Sequence, residues 1–529
     1  LQRPLALVGE LPQDGYSRIA GVVHVHTTKS DGGGTPEEVV AAAKAAGLGF
    51  VAITDHNNLD AKPIEGYRDG VLVVVGTEIS HTAGHLLGLG IPEDPQFRFS
   101  GDARDAVQDV RDLGGAAFAA HPLSPRPDFR WTGWSLPWRW GVELLNGDSQ
   151  WREAGWGRLM ATAALYRLNP RYALLRSLSP PSATLAQWDR LLAERDTGGI
   201  VGADAHARVP ISRRFALRFP SYEAVFRLAQ NHLLLERPLS GKAEVDERVV
   251  AHALAHGRGY VGLDGLAPAP GFSFTAHASE GRRVTMGETI APPVRLRAGG
   301  RMPDGARLRL LKDGHAVAEA KGALEFDAKE HGVYRIEAYV PGSSLPWILT
   351  NPIYVFGADA VGQRTAKALW PPEPEAPAAR LALEGFEVNH DPGTKAAGRE
   401  EIGFELGLPS AQVPSPFFAL VSWTRRDLTG YHGLVFSLES DGVYRVWVQL
   451  RDANPASADD GVEWWFASVK SGPERRRVAV PFARLRSINP KTDGRLDLDK
   501  LRAVVFLVDK GSLKPGTRGR LRVADVAAY

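Results

Sequence analysis

Apolar residues in the first half of the chain fall into short unbroken runs, and helical periodicity lies between them. Ile19 to His26, Phe50 to Thr54, Val71 to Val75, Ala116 to Ala120, Val142 to Leu145 and Gly199 to Gly202 read as strands, with His85 to Leu89 as a further short extended run. Thr35-Pro36-Glu37-Glu38 has the form of a helix start. It carries a capping Thr, a proline at the first helical position and a Glu three residues after the cap, and the helix it opens stops at Gly47. Ala103, Val107, Val110 and Leu113 share one helical face. Leu185 to Glu194 reads as a helix, and Ser221 to Leu235 as the last one. Runs that do not alternate, separated by helices, predict parallel strands buried on both faces.

After residue 265 the pattern changes to alternation with turn signals. Val294–Arg297, Arg307–Leu311 and Gly332–Val340 alternate, and Asp313-Gly314 marks a hairpin. Residues 266–356 therefore predict an immunoglobulin-like β-sandwich. Trp370 to Pro377 is proline-rich, so 357–380 is expected to be an extended linker. Residues 381–529 read as all-β, with strands at 433–438, 443–451, 463–469, 476–480 and 503–508. In the second of these, Tyr444, Val446, Val448 and Leu450 form a core face. Val443, Arg445, Trp447, Gln449 and Arg451 form the opposite one, a mixture suited to stacking on sugar rings.

Composition bounds the possibilities. The chain has 529 residues, 44% of them hydrophobic and 23% charged, which fits a multidomain globular protein. A formal charge of +2 argues against a broad nucleic-acid surface, so no nucleic-acid partner is expected. The absence of cysteine excludes disulfides, thiolate metal sites and thiol nucleophiles. No apolar run is long enough to span a membrane. The chain opens at Leu1, and the expectation is an exported protein, periplasmic or extracellular, whose signal has been removed.

The chemistry lies at the strand ends. His24 and His26 are separated by one residue on an extended segment, so their imidazoles share a face. His56, Glu78, His121, Asp204 and His206 also stand where a strand has just ended. In a parallel barrel all such ends meet on one rim, so residues far apart in sequence converge into a metal site.

These motifs resemble the PHP (polymerase and histidinol phosphatase) family of metal-dependent phosphoesterases. The matching pieces are His24-Val25-His26 with Asp31-Gly32, Thr54-Asp55-His56, Gly76-Thr77-Glu78, Gly84-His85-Leu86-Leu87-Gly88, His121-Pro122 and Asp204-Ala205-His206. The resemblance implies that residues 14–265 form a distorted seven-stranded β/α (TIM-like) barrel with two to three divalent metal ions, Zn, Mn or Fe. It implies that His24, His26, Glu78 and Asp204 hold one ion and that Glu78, His85 and His121 hold a second, with Glu78 bridging. Asp31, His56 and His206 would hold a third; some relatives carry His where this chain has Asp31. His81 is read as a neighbour rather than a ligand. Residues 345–355 resemble the closing segment of the carbaryl-hydrolase-like branch. Residues 381–529 resemble jelly-roll modules related to complex I intermediate-associated proteins and carbohydrate-binding modules, acting either as a stabilising appendage or as a sugar binder.

The expected activity is hydrolysis of a small-molecule ester, most simply a phosphomonoester or phosphodiester attacked by a metal-bridging hydroxide. Carboxylic or carbamate ester hydrolysis at the same site is the alternative. A carbohydrate-binding protein with a vestigial barrel is a third reading. Asp55, Arg208 and Arg213 are the candidates for catalytic roles. Asp55 would orient the ligands, and the arginines, with Arg214, would grip a phosphate unless they form a solvated basic loop. Trp131, Trp134, Trp138, Trp140, Trp151 and Trp156 predict either a packed lid or an apolar wall that admits an aryl, sugar-linked or otherwise bulky ester.

Overall fold

The structure is a computed structural model. It describes residues 5–136, 140–147, 150, 156–210, 215–368, 375–455, 461–487, 489 and 491–529. Two compact units divide the chain: Leu1–Asp94 with Gly101–Pro371, and Pro95–Ser100 with Pro372–Tyr529.

The first unit begins with β1 (Ser17–Val25), α1 (Pro36–Ala46) and β2 (Phe50–Ile53). The Thr35 side chain accepts from the Glu38 backbone N–H and the Glu38 carboxylate accepts from the Thr35 N–H, so two otherwise unpaired donors are satisfied. Gly47 closes the helix at φ 76°, a conformation that costs a residue with a Cβ more than it costs glycine. There follow β3 (Val71–Val75), β4 (Thr77–His81), β5 (Gly84–Leu89), α2 (Ala103–Asp112), β6 (Ala116–Ala119), β7 (Gly141–Asn146), α3 (Ser182–Glu194) and β8 (Gly199–Ala205).

Pairings close these strands into a barrel. β1 runs parallel to β2, β2 to β3, β6 to β7, β7 to β8, and β8 back to β1. β5 differs, being antiparallel to both β4 and β6. Val23, Phe50, Leu72, Phe118 and Ile200 share one buried cluster with Val250 and Leu254 of the helix Ala243–Ala255. Each such side chain contributes about 1.5–3 kcal/mol through burial.

The expected helix over 221–235 is not present as such. Helix α4 covers only Tyr222–Phe226, and β9 (Gln230–Leu235) follows and pairs antiparallel with β1. Leu233-Leu234-Leu235 is a continuous apolar run, which fits a strand buried on both faces as well as it fits a helix. Asn231 fixes the outcome by bonding both the N–H (2.9 Å) and the carbonyl (2.8 Å) of Val201. β10 (Gly259–Gly262) pairs with β9, and Ile348–Thr350 pairs with β10, so the barrel sheet continues into the next region. There a sheet of Phe272–Ala278, Arg283–Thr285, Val294–Gly300 and Leu324–Ala328 shares a core with the strands Arg307–Lys312 and Gly332–Tyr339. The stretch expected as linker begins with a helix, Ala358–Ala368, and Trp370 lies outside the described residues.

The second unit holds two six-stranded sheets. One contains, in spatial order, Glu387–His390, Phe417–Ser422, Leu501–Asp509, Arg445–Ala453, Val462–Lys470 and Arg486–Ser487. The expected core face of 445–453 is buried, but Arg445 on the opposite face is only 1% exposed. It donates to the Arg98 carbonyl at 2.9 Å and to Ser468 Oγ at 2.7 Å, because the segment Pro95–Ser100 belongs to this unit.

Candidate metal centre

Glu78 lies at the centre of the barrel rim, with its two oxygens facing different histidines. Oε1 is 2.7 Å from His85 Nδ1 and 2.8 Å from His121 Nε2. Oε2 is 3.2 Å from His24 Nε2, 3.1 Å from His26 Nε2 and 3.2 Å from His56 Nδ1. Asp204 Oδ1 is 3.4 Å from the Nε2 atoms of both His24 and His26. Asp31 Oδ1 lies 3.2 Å from His206 Nε2, 3.7 Å from His56 Nε2 and 3.8 Å from His26 Nδ1. All nine residues expected to bind metal therefore stand in one connected cluster. Its groupings are His24/His26/Glu78, His24/His121/Asp204, His56/Glu78/His85 and His26/Asp31/His56/His206.

The strand ends account for this convergence. β1, β2, β6 and β8 deliver their ligands at or just past their carboxyl ends. His85 stands at the start of β5 instead, and because β5 runs antiparallel, its start lies on the same rim. His24, His121 and Asp204 have φ of 65°, 28° and 48°, a region sparsely populated by residues with a Cβ. Such strain persists only where the surroundings impose it, and it clusters at functional sites.

The donor set fits metal ions. His24 Nε2, both ring nitrogens of His26, and His56 Nδ1 are buried with no hydrogen-bond partner. His24 Nδ1 is bonded to a carboxylate, so in the neutral ring the Nε2 lone pair points at Glu78 and Asp204. Lone pairs facing carboxylate oxygens repel unless a cation lies between them, and an all-nitrogen-and-oxygen set suits Zn, Mn or Fe. Burial disfavours positive charge at the His24 ring, but Asp204, Glu143 and Glu78 outweigh it and raise its pKa, and the same field favours a cation at Nε2. Glu78 is likewise held ionised far below the usual carboxylate range: burial opposes this, and His24 and His121 outweigh it.

The sequence reading did not single out Glu143. It is 1% exposed on β7, takes His24 Nδ1 at 2.7 Å, and accepts from the His121 backbone N–H at 2.5 Å and Asn146 Nδ2 at 2.8 Å. A Cβ on Gly202 of β8 would fall 1.4 Å from Glu143 Oε1, so this glycine makes the space for the carboxylate. The one available signal was a lone carboxylate inside the apolar strand Gly-Val-Glu-Leu-Leu-Asn.

Asp55 stands behind the cluster. Its oxygens accept from the Thr27 N–H (2.8 Å), Thr27 Oγ1 (2.7 Å) and Ser30 Oγ (2.5 Å), so it shapes the turn that follows His26 rather than facing the ligands. Arg208 is exposed, and its guanidinium lies 3.3 Å from the Asp31 carbonyl. Arg213 and Arg214 lie outside the described residues, as do Trp138 and Trp151. His81 Nδ1 accepts from the Ala83 N–H, its ring packs on Trp131 at 5.4 Å, and burial followed by His85 pushes it down to about 3. Trp131 and Trp140 are each 1% exposed and pack at 5.1 Å, and Arg195 sits over Trp140 at 4.8 Å, so they build a packed wall. Phe129 lies beside the cluster, 4.7 Å from the His85 ring and 5.6 Å from the His121 ring.

The PHP domain family model matches residues 23–112. An uncharacterised protein of Methanocaldococcus jannaschii is 34% identical over 118 residues, covering 20% of this chain and 67% of the relative. The chain belongs to the PHP-domain family. A phosphoribosyl 1,2-cyclic phosphate 1,2-diphosphodiesterase of Eggerthella lenta is 40% identical over 80 residues, which are 13% of this chain and 30% of that enzyme. Among solved structures, one from Bacteroides vulgatus is described as a two-domain protein containing a predicted PHP-like metal-dependent phosphoesterase. It aligns over 66% of this chain and 99% of its own, at 17% identity and TM-score 0.34. A family 11 carbohydrate-binding module from Clostridium thermocellum aligns over 29% of this chain and 96% of its own, at 13% identity and TM-score 0.23.

Proposed function

We propose that the chain is a metal-dependent phosphoesterase acting on a small phosphomonoester or phosphodiester. The observation that carries this reading is Glu78, whose oxygens separate His85 and His121 from His24, His26 and His56, the arrangement a bridging ligand needs. His24, His26, Glu78 and Asp204 would hold one ion, Glu78, His85 and His121 a second, and Asp31, His56 and His206 a third. Bound there, Zn, Mn or Fe would supply Lewis acidity and an acidified water.

The protein's own groups do the rest. Glu143 fixes the His24 ring through Nδ1 and the His121 backbone through its N–H. Asp55 holds the turn after His26. Phe129 covers His85 and His121 on one side and limits water there. Dications held by these residues would attract an anionic ester. Arg208 stands beside Asp31, where it can meet a phosphate oxygen. The likeness to the Eggerthella lenta cyclic phosphodiesterase supports a phosphodiester as the preferred class.

Matched nitrophenyl phosphate, bis(nitrophenyl) phosphate and nitrophenyl acetate provide the test. The phosphate esters are expected to be preferred in kcat/KM, and a preference for acetate would assign the site to carboxylic ester hydrolysis.

A further inference from the structure

In the sheet that holds Arg445–Ala453, the strand face opposite the Val448 and Leu450 side carries none of the barrel chemistry. Strand alternation and register place Ala419, Val421, Ala503, Val505 and Gln449 on this face, opposite the core side of Val448, Leu450, Val504 and Phe506. Ala419, Val421, Ala503 and Val505 form a separate buried cluster of small side chains, and Gln449 beside them is 3% exposed.

Trp423 continues the alternation of Ala419 and Val421, and Trp464 pairs with Arg451, so both indoles belong to this face. Trp423 is 51% exposed although it follows directly on the buried strand Phe417–Ser422. Arg451 lies between two indoles, 5.6 Å from the Trp423 ring and 4.1 Å from the Trp464 ring, and it donates to Gln449 Oε1 at 3.2 Å. An exposed tryptophan held this way is a preformed platform for a flat, partly apolar ring.

One end of the platform is cationic. A 440 Å³ recess is lined by Arg425, Arg426, Lys500 and Arg502, with Asp427 and Asp499 among them. Its lining residue Ala453 lies on the same strand face as Arg451, a step of roughly 7 Å at the rise of a strand. Arg426 is fixed by the carbonyls of Thr424 (2.9 Å) and Glu384 (2.6 Å). Among the described residues, neither Arg425 nor Arg502 has a carboxylate at ion-pair distance. A stacking platform next to a cluster with a modest excess of positive charge matches a polymer of rings that carry sparse anionic groups. The denser charge of a nucleic acid fits it less well.

We infer that Trp423, Arg451 and Trp464, together with the Arg425/Arg426/Lys500/Arg502 recess, bind an acidic polysaccharide whose sugar rings stack on the indoles and whose anionic groups enter the recess. Carboxylated and sulfated glycans share this chemistry.

The test titrates the full chain with polygalacturonate, dextran sulfate, neutral mixed-linkage β-glucan and a single-stranded oligonucleotide, by calorimetry and tryptophan fluorescence. At least one acidic glycan is expected to bind and to weaken steeply between about 50 and about 500 mM NaCl. The two acidic arms distinguish carboxylate from sulfate. Trp423→Ala is expected to weaken that binding about tenfold or more, the scale of one stacking contact. Arg425→Gln with Arg502→Gln is expected to lower both the affinity and the salt slope. Circular dichroism and cooperative thermal unfolding of each variant report that both units are folded. Equal or tighter binding of neutral glucan or of the oligonucleotide would overturn the inference, as would undiminished binding by folded Trp423→Ala, or no binding to either acidic glycan.

Discussion

Glu78 and Glu143 are both buried carboxylates that touch histidines, yet they differ in role. Glu78 divides its oxygens between ring nitrogens that point into the cluster. Glu143 takes the far nitrogen of His24 and a backbone N–H. Glu143→Gln is expected to keep the fold and lower metal affinity about 10- to 100-fold, the usual effect of losing such a partner. Competition titration with a chromophoric chelator measures it, and unchanged affinity would remove Glu143 from the centre. The nine clustered residues were legible because each belongs to a short motif beside an apolar strand, whereas Glu143 is a single carboxylate whose partners His24 and His121 lie elsewhere in the chain.

Asp452 belongs to the same scale. It lies opposite Glu463 on the neighbouring strand and is 1% exposed. Burial first, and then the Glu463 charge, push it up to about 6. Its folded pKa thus exceeds the ordinary aspartate value of about 3.9, so the folded state binds more protons between the two. Stability is full below about pH 4 and falls as pH rises to about 6, by on the order of 1–3 kcal/mol. Asp452→Asn is expected to flatten the Tm against pH over that range and to raise Tm at pH 7. Equal slopes for the two proteins would contradict this.

At the scale of elements, α1 followed its local code. Thr35, Pro36, Glu38 and Gly47 each stand where the sequence predicts and make the expected bonds. Thr35→Ala is expected to cost about 1 kcal/mol in urea unfolding, with an unchanged m-value. Residues 221–235 did not follow theirs, because Leu233-Leu234-Leu235 carries no period and the choice between helix and strand fell to Asn231 and the free edge of β1. The antiparallel β5 was equally invisible, since local composition carries no strand direction. Yet that direction brings His85 to the rim. The helix Ala358–Ala368 lies just before the prolines, and its alanines and polar residues gave no apolar stripe to mark it.

At the scale of the whole molecule, the change from unbroken to alternating runs near residue 265 does not separate compact units, because Gly259–Gly262 pairs with Ile348–Thr350 and residues 101–371 belong to one unit; the strands of the second unit lie close to their expected positions. The annexation of Pro95–Ser100 by the second unit could not be read from sequence, because Phe97 and Arg98 meet Leu513 and Ser512 only in the fold. Among the described residues no helix is long and apolar enough to cross a membrane.

The central claim is that the rim cluster holds the metal ions of a phosphoesterase. The most direct measurement is bis(nitrophenyl) phosphate hydrolysis by chelator-treated protein before and after addition of Zn, Mn or Fe, with Glu78→Gln treated in parallel. The account predicts that chelation abolishes turnover, that at least one of these ions restores it, and that Glu78→Gln stays inactive with each of them. Turnover that survives chelation, or full activity of Glu78→Gln, would contradict it.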